Sequence, residues 1–454
     1  MHRREAFFRK DFILYHCLKR KIKDMIVSAK IKWANKTSKS ANRIWQLVKT
    51  IKNSSYCNEN ILLEPNSFNY IVTLFKSYFN SNNNTQCLDF DASNYLDVDV
   101  DCETVLKIID SIPVKKSCGI EGLNTGYIKA IAPFICEPLT VIINLCFKNC
   151  IFPDMWKFAP VVPIPKCNRP TLNDFRPISI TPVFGKIIEK IFVLNFKNDL
   201  IEHFGSCQHA YRSCTSASTA LAEYNEIVTS ALDREDVKAV RVVFYDLEKA
   251  FDKVRHDLLV KMLFEKVGSP IAKFVQSYLY NRKFCVKIGN RLSDHIDCVS
   301  SVPAGSILGP FLFNFFLGDM VCNFYNVTKN SDIILFADDI ANIELIQCID
   351  LNDHVSTTPV IDSWLSTFDL PINFKKRHQL FYKKCNTHLD IHAPIDNIEI
   401  VTTHKYLGVL ISNNFSLKNH INCTLAKAAR GLFVLRYLKK LNFVKKSELL
   451  NVYN

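Results

Sequence analysis

Glycine is scarce, at 12 in 454 residues. Turns that need a positive φ lean on glycine, so a turn-dense all-β fold is excluded and a helix-rich α/β or α+β architecture is favoured. No C-x-x-C pair occurs among the 17 cysteines, whose closest members, Cys146 and Cys150, stand four apart. That pattern argues against a disulfide framework and a zinc site, and it suits a reducing compartment. The start "MHRREAFFRKDF" is charged where a signal peptide has its apolar core, so none is expected. The one greasy run, "SILGPFLFNFFLGDM", is broken by Gly309, Pro310, Asn314, Gly318 and Asp319, so no membrane partner is expected. Lysine and arginine are missing between Lys329 and Lys375.

Acidic residues are nearly missing from the first 52 positions, which hold 15 Lys and Arg against 3 Asp and Glu and so account for +12 of the net +13. A basic helical segment so placed suggests a polyanion partner, nucleic acid before anionic membrane; the plain alternative is a solvated helix face. Composition then shifts through "NSNNNTQ" to the acidic "LDFDASNYLDVDVDCET", marking a linker over residues 81–104 after an N-terminal extension of 1–80. The pattern is helical to about Cys150. Prolines in "FAPVVPIPKCNRPTLNDFRPISITP" exclude regular helix there.

A β-α unit follows. "KAVRVVFYD" is rich in β-branched and aromatic residues and reads as a buried strand ending at Asp246. Phe251, Val254, Leu258, Met262, Leu263 and Val267 then recur at helical spacing, predicting one amphipathic helix to about Gly268. Further on, the apolar, strand-like "DIILFADDIANIEL" carries Asp338 and Asp339 at its centre. On a strand the two point to opposite faces unless a turn intervenes, and a solvated hairpin turn is the ordinary reading of such a doublet. Beside so many apolar residues, carboxylates need a partner. If the strands ending at Asp246 and bearing the doublet are neighbours, the three carboxylates can converge on two Mg²⁺ ions. Hard divalent cations prefer oxygen ligands, and a metal pair about 3.5–4 Å apart stabilises both the attacking and the leaving oxygen in phosphoryl transfer.

Several motifs stand together in order: "KSCGIEGLNTGYIKAI", "IFPDMWKFAPVVPIPK", "NDFRPISITPVFGKIIEKI", "QHAYRSCTSAS", "FYDLEKAFDKVRHDLL", "SVPAGSILGPFLFNFF", "LFADDIAN" and "HKYLGVLI". From about Val105 to the C-terminus the chain resembles the reverse transcriptases of non-LTR retrotransposons. The resemblance implies an α+β right-hand polymerase: fingers at 105–235, a palm with antiparallel sheet and packed helices at 236–412, and the start of a thumb at 413–454. It implies RNA-directed DNA polymerase activity with two Mg²⁺ ions, an RNA template, a DNA primer and dNTPs, in an intracellular setting, nuclear and cytoplasmic. Carried over, Asp246, Asp338 and Asp339 are the catalytic, metal-binding carboxylates. The backbone from Leu247 to Ala250 lies near the triphosphate, and Phe251 packs under the sugar; a core position in the following helix is its plain alternative. Lys166 and Arg176 match basic finger positions that meet the triphosphate, or else template phosphates. Lys376 matches a lysine that protonates pyrophosphate, although Lys375, Arg377 and His378 adjoin it. Tyr406, Leu407 and Gly408 match the turn supporting the primer end.

Four positions depart from the family. Ala304, before Gly305, stands where a glutamine helps to position nucleotide and template, and Glu121 replaces an aspartate. Ala210 and Cys214 occupy usual glycine positions, where a Cβ on left-handed backbone costs about 1 kcal/mol. These departures, with no preceding endonuclease and an early end, make a fragment of a longer reading frame the expectation. A decayed relic that only binds nucleic acid stays open as the alternative, and a group II intron-type enzyme fits the motifs less well.

Overall fold

The computed structural model describes residues 65–79, 87–90, 95–114, 118–167, 170–328, 330–348, 350, 353–384 and 394–440. They belong to two compact units, 60–416 and a second made of 1–59 with 417–454. The basic segment over 1–52 lies outside the described residues.

The larger unit begins with α1 (Pro65–Phe79), α2 (Cys102–Ser111) and α3 (Thr125–Asn149). The hairpin β1 (Ala159–Pro165) and β2 (Phe175–Ser179) leads to α4 (Val183–Ile201) and α5 (Ala217–Asp233). Then come β3 (Ala239–Asp246), α6 (Ala250–Lys253), α7 (His256–Lys266), α8 (Ser269–Leu279), β4 (Arg282–Ile288), β5 (Arg291–Leu292) and β6 (Ile296–Cys298). Next are α9 (Gly309–Val327), β7 (Ser331–Phe336), β8 (Asp339–Ile346), α10 (Thr358–Thr367) and β9 (His378–Lys383). β10 (Glu399–Ile400) and the hairpin β11 (Thr403–Tyr406) and β12 (Val409–Ser412) follow. In the smaller unit the described element is α11 (Lys418–Lys440). Helices packed on largely antiparallel sheets make the chain α+β.

The central sheet has the order β10-β9-β3-β8-β7. Alternation on β3 serves two cores: Val240, Val242 and Phe244 share one with Ala220, Tyr224 and Val228 of α5. Val243 and Tyr245 join the other, with Phe313, Phe316 and Leu317 of α9. A strand covered on both faces reads as a continuous apolar run, which is why "VRVVFY" shows no polar alternation.

In the second sheet, ordered β2-β1-β4-β5 with β6 on β4, β1 runs parallel to β4. Strands from the stretches read as fingers and as palm thus share hydrogen bonds. α1 packs on this sheet, with Phe68, Ile71, Phe75 and Phe79 against Val161, Phe175, Phe284 and Val286. Residues 65–79, grouped with the N-terminal extension by composition, are therefore part of the body of the larger unit.

Three local expectations change. The helix after β3 is two helices, because Val254 is extended and its carbonyl takes the Ser301 N–H at 2.9 Å while that of Phe251 takes Val302 N–H at 2.9 Å. A returning loop satisfies the backbone groups that the break leaves free. Cys102 and Cys136 form a disulfide joining α2 to α3, which cysteine spacing did not announce. Finally, α3 is long and apolar enough to cross a membrane, so the run at Ser306 is not the one greasy stretch. One face of α3, with Ile128, Ala132, Leu139, Ile143 and Phe147, is buried in the core.

Candidate active site

β7 and β8 form a hairpin whose two-residue turn is Ala337 and Asp338, with Phe336 paired to Asp339. "DIILFADDIANIEL" is thus two strands, and the doublet does sit at a hairpin turn. Ala337 takes the left-handed conformation (φ 55°), which lets Asp338 occupy the turn while Asp339 starts β8. Asp339 is the register partner of Asp246 across the β3–β8 ladder. Directly opposed residues point to the same face about 5 Å apart, so the two strands bring these carboxylates together.

Their electrostatics follow. Burial raises the pKa of Asp338, and the nearby Asp246 adds to the rise. Burial, then the charges of Asp338 and Asp246, push Asp339 up to about 6. Asp246 has cationic support: its Oδ2 accepts from Lys376 Nζ at 2.9 Å and from Asn373 Nδ2 at 3.1 Å. Of the four basic residues at 375–378, Lys376 is therefore the one at the carboxylates. Arg377 is buried, pairing with Asp362 at 3.0 Å and lying over the Tyr245 ring, while His378 opens β9.

A cleft of about 400 Å³ opens beside Asp246 and Asp338. Lys166 and Arg176, from the two ends of the β1–β2 turn, line it, as do Phe251, Ala304, Lys376 and the backbone run Leu247 to Ala250. Phe251 stacks on Phe313 with centroids 4.2 Å apart, so it packs against the core and faces the cleft together. Gly305 does not line the cleft. Its φ is 108° and a Cβ would come 2.8 Å from the Ser179 carbonyl oxygen, so the glycine allows the close approach in which Ser179 N–H donates to Ala304 O at 2.9 Å.

On the other side of the carboxylates a small cavity of about 120 Å³ is lined by Asp246, Asp339, Lys376, His404, Tyr406 and Leu407. Tyr406 ends β11, and Leu407 (φ 45°) and Gly408 (φ 89°) form the two-residue turn into β12. Two positive φ values in succession match the twist of a tight hairpin. Gly408 itself is not in the cavity lining.

Two supporting residues escaped the sequence reading. Gln208, 1% exposed, accepts through Oε1 from both Ala337 N–H at 3.0 Å and Ala210 N–H at 2.9 Å, pinning the turn that carries Asp338. Glu189, fully buried, accepts from Ile307 N–H at 2.6 Å and from the Tyr278 hydroxyl at 3.1 Å, fixing the loop after Gly305. Its signal was present: a lone carboxylate among Ile187, Ile188 and Ile191. In the same loop as Gln208, Cys214 is left-handed (φ 64°) as expected, but the second such residue is Tyr211 (φ 59°), not Ala210. Glu121 lines a separate apolar groove with Ile131, Ile135 and Trp156.

A family profile described as reverse transcriptase (RNA-dependent DNA polymerase) matches residues 164–411, more than half of the chain. The chain belongs to the reverse transcriptase family. The chain is 27% identical over 354 residues to the probable RNA-directed DNA polymerase from transposon BS of Drosophila melanogaster, covering 74% of this chain and 38% of that protein. It is 26% identical over 337 residues to the RNA-directed DNA polymerase from mobile element jockey of the same species, covering 71% and 36%. The chain thus spans under two fifths of the length of these curated relatives. Among solved structures, Candida tropicalis telomerase truncated from its C-terminal domain aligns with a TM-score of 0.40 and 11% identity over 76% of this chain and 88% of that one.

The donor set suits a divalent cation. Two of the three carboxylates are held above their ordinary pKa by burial and mutual repulsion, and a hard cation relieves both. Among the described residues no three His, Cys, Asp or Glu side chains form a ready coordination sphere. None is required for Mg²⁺, which commonly takes one or two protein carboxylates and completes its shell with water and phosphate.

Proposed function

We propose that this chain is the polymerase portion of a retrotransposon protein and adds deoxynucleotides to a DNA primer on an RNA template in an Mg²⁺-dependent reaction. The observation that carries the reading is Asp246 opposed to Asp339, with Asp338 beside them, at a cleft whose walls hold Lys166, Arg176, Phe251 and Lys376. In this reading the primer 3′-hydroxyl gives its proton to solvent as its oxygen attacks the α-phosphorus of the bound triphosphate, the bond to the α,β-bridging oxygen breaks and pyrophosphate leaves. Asp246, Asp338 and Asp339 would hold two divalent ions, which when bound would supply charge stabilisation to the attacking and leaving oxygens. Lys166 and Arg176 offset triphosphate charge, Phe251 lies under the sugar, and Lys376 gives a proton to the departing pyrophosphate. The Tyr406–Gly408 turn supports the primer end. The central sheet serves as palm, and the β1–β2 hairpin as fingers.

The test is primer extension. The full chain, supplied with Mg²⁺, dTTP and a DNA primer on poly(rA), extends the primer, and Asp338→Ala abolishes extension. Equal, background-level incorporation by both proteins would overturn the reading; salt-dependent RNA binding by the same samples would then favour a relic that only binds nucleic acid.

A further inference from the structure

We infer that Lys249 is a further contact for the polyphosphate of an incoming nucleoside triphosphate, and that Tyr78, on α1, is the positioning residue that aims it. The inference rests on the polymerase reading above.

Lys249 follows the end of β3 with φ 54° and ψ 42°, a left-handed conformation unusual for a residue with a Cβ. Strain of this kind persists where the surroundings over-determine it, often at functional sites. Its ammonium stands 3.4 Å from the centroid of the Tyr78 ring, a cation–π contact. Both residues line the cleft that also holds Lys166 and Asp246.

Tyr78 is a fixed platform. It is buried, and α1 is tied down around it: Lys253 Nζ donates to Ser77 O at 3.3 Å, and Phe79 O accepts from Val299 N–H at 3.2 Å and Ser300 N–H at 3.1 Å. At the other end of the helix Tyr70 donates to Asn173 Oδ1 at 2.8 Å, and Asn173 is itself in the cleft wall. A flexible lysine laid on a rigid ring keeps its charge in one place without a carboxylate partner.

Two further ammonium groups, Lys166 and Lys253, act on Lys249, in a cleft that Asp246, Glu248, Asp252 and Asp338 also line. Burial lowers the pKa of Lys249, and the neighbouring charges of Lys166 and Lys253 lower it further, while Glu248 and Asp252 act in the opposite sense. Asp252 compensates only in part, because burial pushes its own carboxyl up to about 7. A polyphosphate placed between Lys166 and Lys249, which line the same cleft, takes charge-assisted hydrogen bonds from both ammonium groups.

The experiment measures binding apart from turnover: calorimetric titration of Mg²⁺–dTTP into the full chain holding a dideoxy-terminated primer on an RNA template. Lys249→Met should weaken the Kd about tenfold, the loss expected for one hydrogen bond to a charged group. Tyr78→Leu should weaken it about threefold and Tyr78→Phe, which keeps the ring, less than twofold. Primer–template affinity should stay unchanged in all three, which excludes a folding defect. An unchanged dTTP Kd in both Lys249→Met and Tyr78→Leu overturns the inference. A wild type that binds dTTP but does not extend an open primer overturns the polymerase reading alone; one that binds no dTTP overturns both.

Discussion

Arg241 and Asp246 lie on the same strand, β3, and the fold treats their charges in opposite ways. Arg241 is fully buried and fully answered: it donates to Gln379 Oε1 at 2.6 Å, Glu344 Oε2 at 2.7 Å, Ser356 Oγ at 2.9 Å and Asp396 Oδ2 at 3.0 Å. Burial would raise the pKa of Glu344, but hydrogen bonding with His354, the charge of Arg241 and the Thr357 hydroxyl outweigh it and hold the carboxyl at about 2. At the Asp246 end, three carboxylates gather and Lys376 is hydrogen-bonded to one of them, Asp246; burial and the charges of Asp338 and Asp246 push Asp339 up to about 6. A charge cluster that satisfies itself is part of the structure, whereas one left in deficit is built for something the chain does not contain.

The comparison separates by mutation. The largest expected effect is at the deficient end: Asp338→Ala should lower primer extension by roughly 10³-fold or more, while the urea midpoint stays level or rises, since a repelling charge has gone. A drop in both together would mean that Asp338 is structural. At the self-satisfied end, Arg241→Met should cost about 3–5 kcal/mol in denaturation, because it strands Glu344 in the interior. Adding Glu344→Leu should recover much of that loss; no recovery would show that packing, not charge, dominates there.

A smaller effect is expected at the loop between the two sheets. Gly305→Ala forces a Cβ onto backbone at φ 108° and against the Ser179 carbonyl, at about 1–3 kcal/mol, measurable as a lower urea midpoint. An unchanged midpoint would mean that the loop relaxes freely.

The smallest effect is in pH dependence, and its sign differs between the ends. The folded pKa of Asp339, about 6, lies above its ordinary 3.8, so the native state binds more protons in that window and this group's contribution to stability increases as pH falls from about 6 toward 4. Glu344, about 2 when folded against an ordinary 4.5, contributes stability above pH 4.5 that is lost as pH falls toward 2. Between pH 7 and pH 5 the raised carboxyls of Asp339 and Asp252 gain while the buried His256 and His404, held near 4, lose, so the difference is what unfolding curves should show: wild type gains more on acidification, or loses less, than Asp339→Asn. An identical change in the variant would assign it to other groups.

Much of the site was legible because its chemistry is written in short motifs. Asp246 closes an apolar strand, and Asp338 and Asp339 interrupt another apolar run; carboxylates in such settings announce themselves, because burying them unpaired is costly. The left-handed Cys214 and the Leu407–Gly408 turn came instead from the family resemblance. Less legible were residues whose partners are far away in sequence: Gln208 on the turn at Ala337, Glu189 on the loop at Ile307, and Tyr78 under Lys249. Arg241, too, drew no notice in the sequence, and its partners Glu344, Gln379, Ser356 and Asp396 are all far along the chain.

Sequence by itself determined a helix-rich mixed class, the order of the motifs and the acidic residues that interrupt apolar runs, since these depend on composition and periodicity; α+β rather than α/β came from the family resemblance. Tertiary structure alone decided that Asp246 faces Asp339, that Lys376 and not its basic neighbours reaches them, and that α1 walls the cleft. Those are matters of register and long-range packing, in which one residue's energy depends on another that no local pattern specifies.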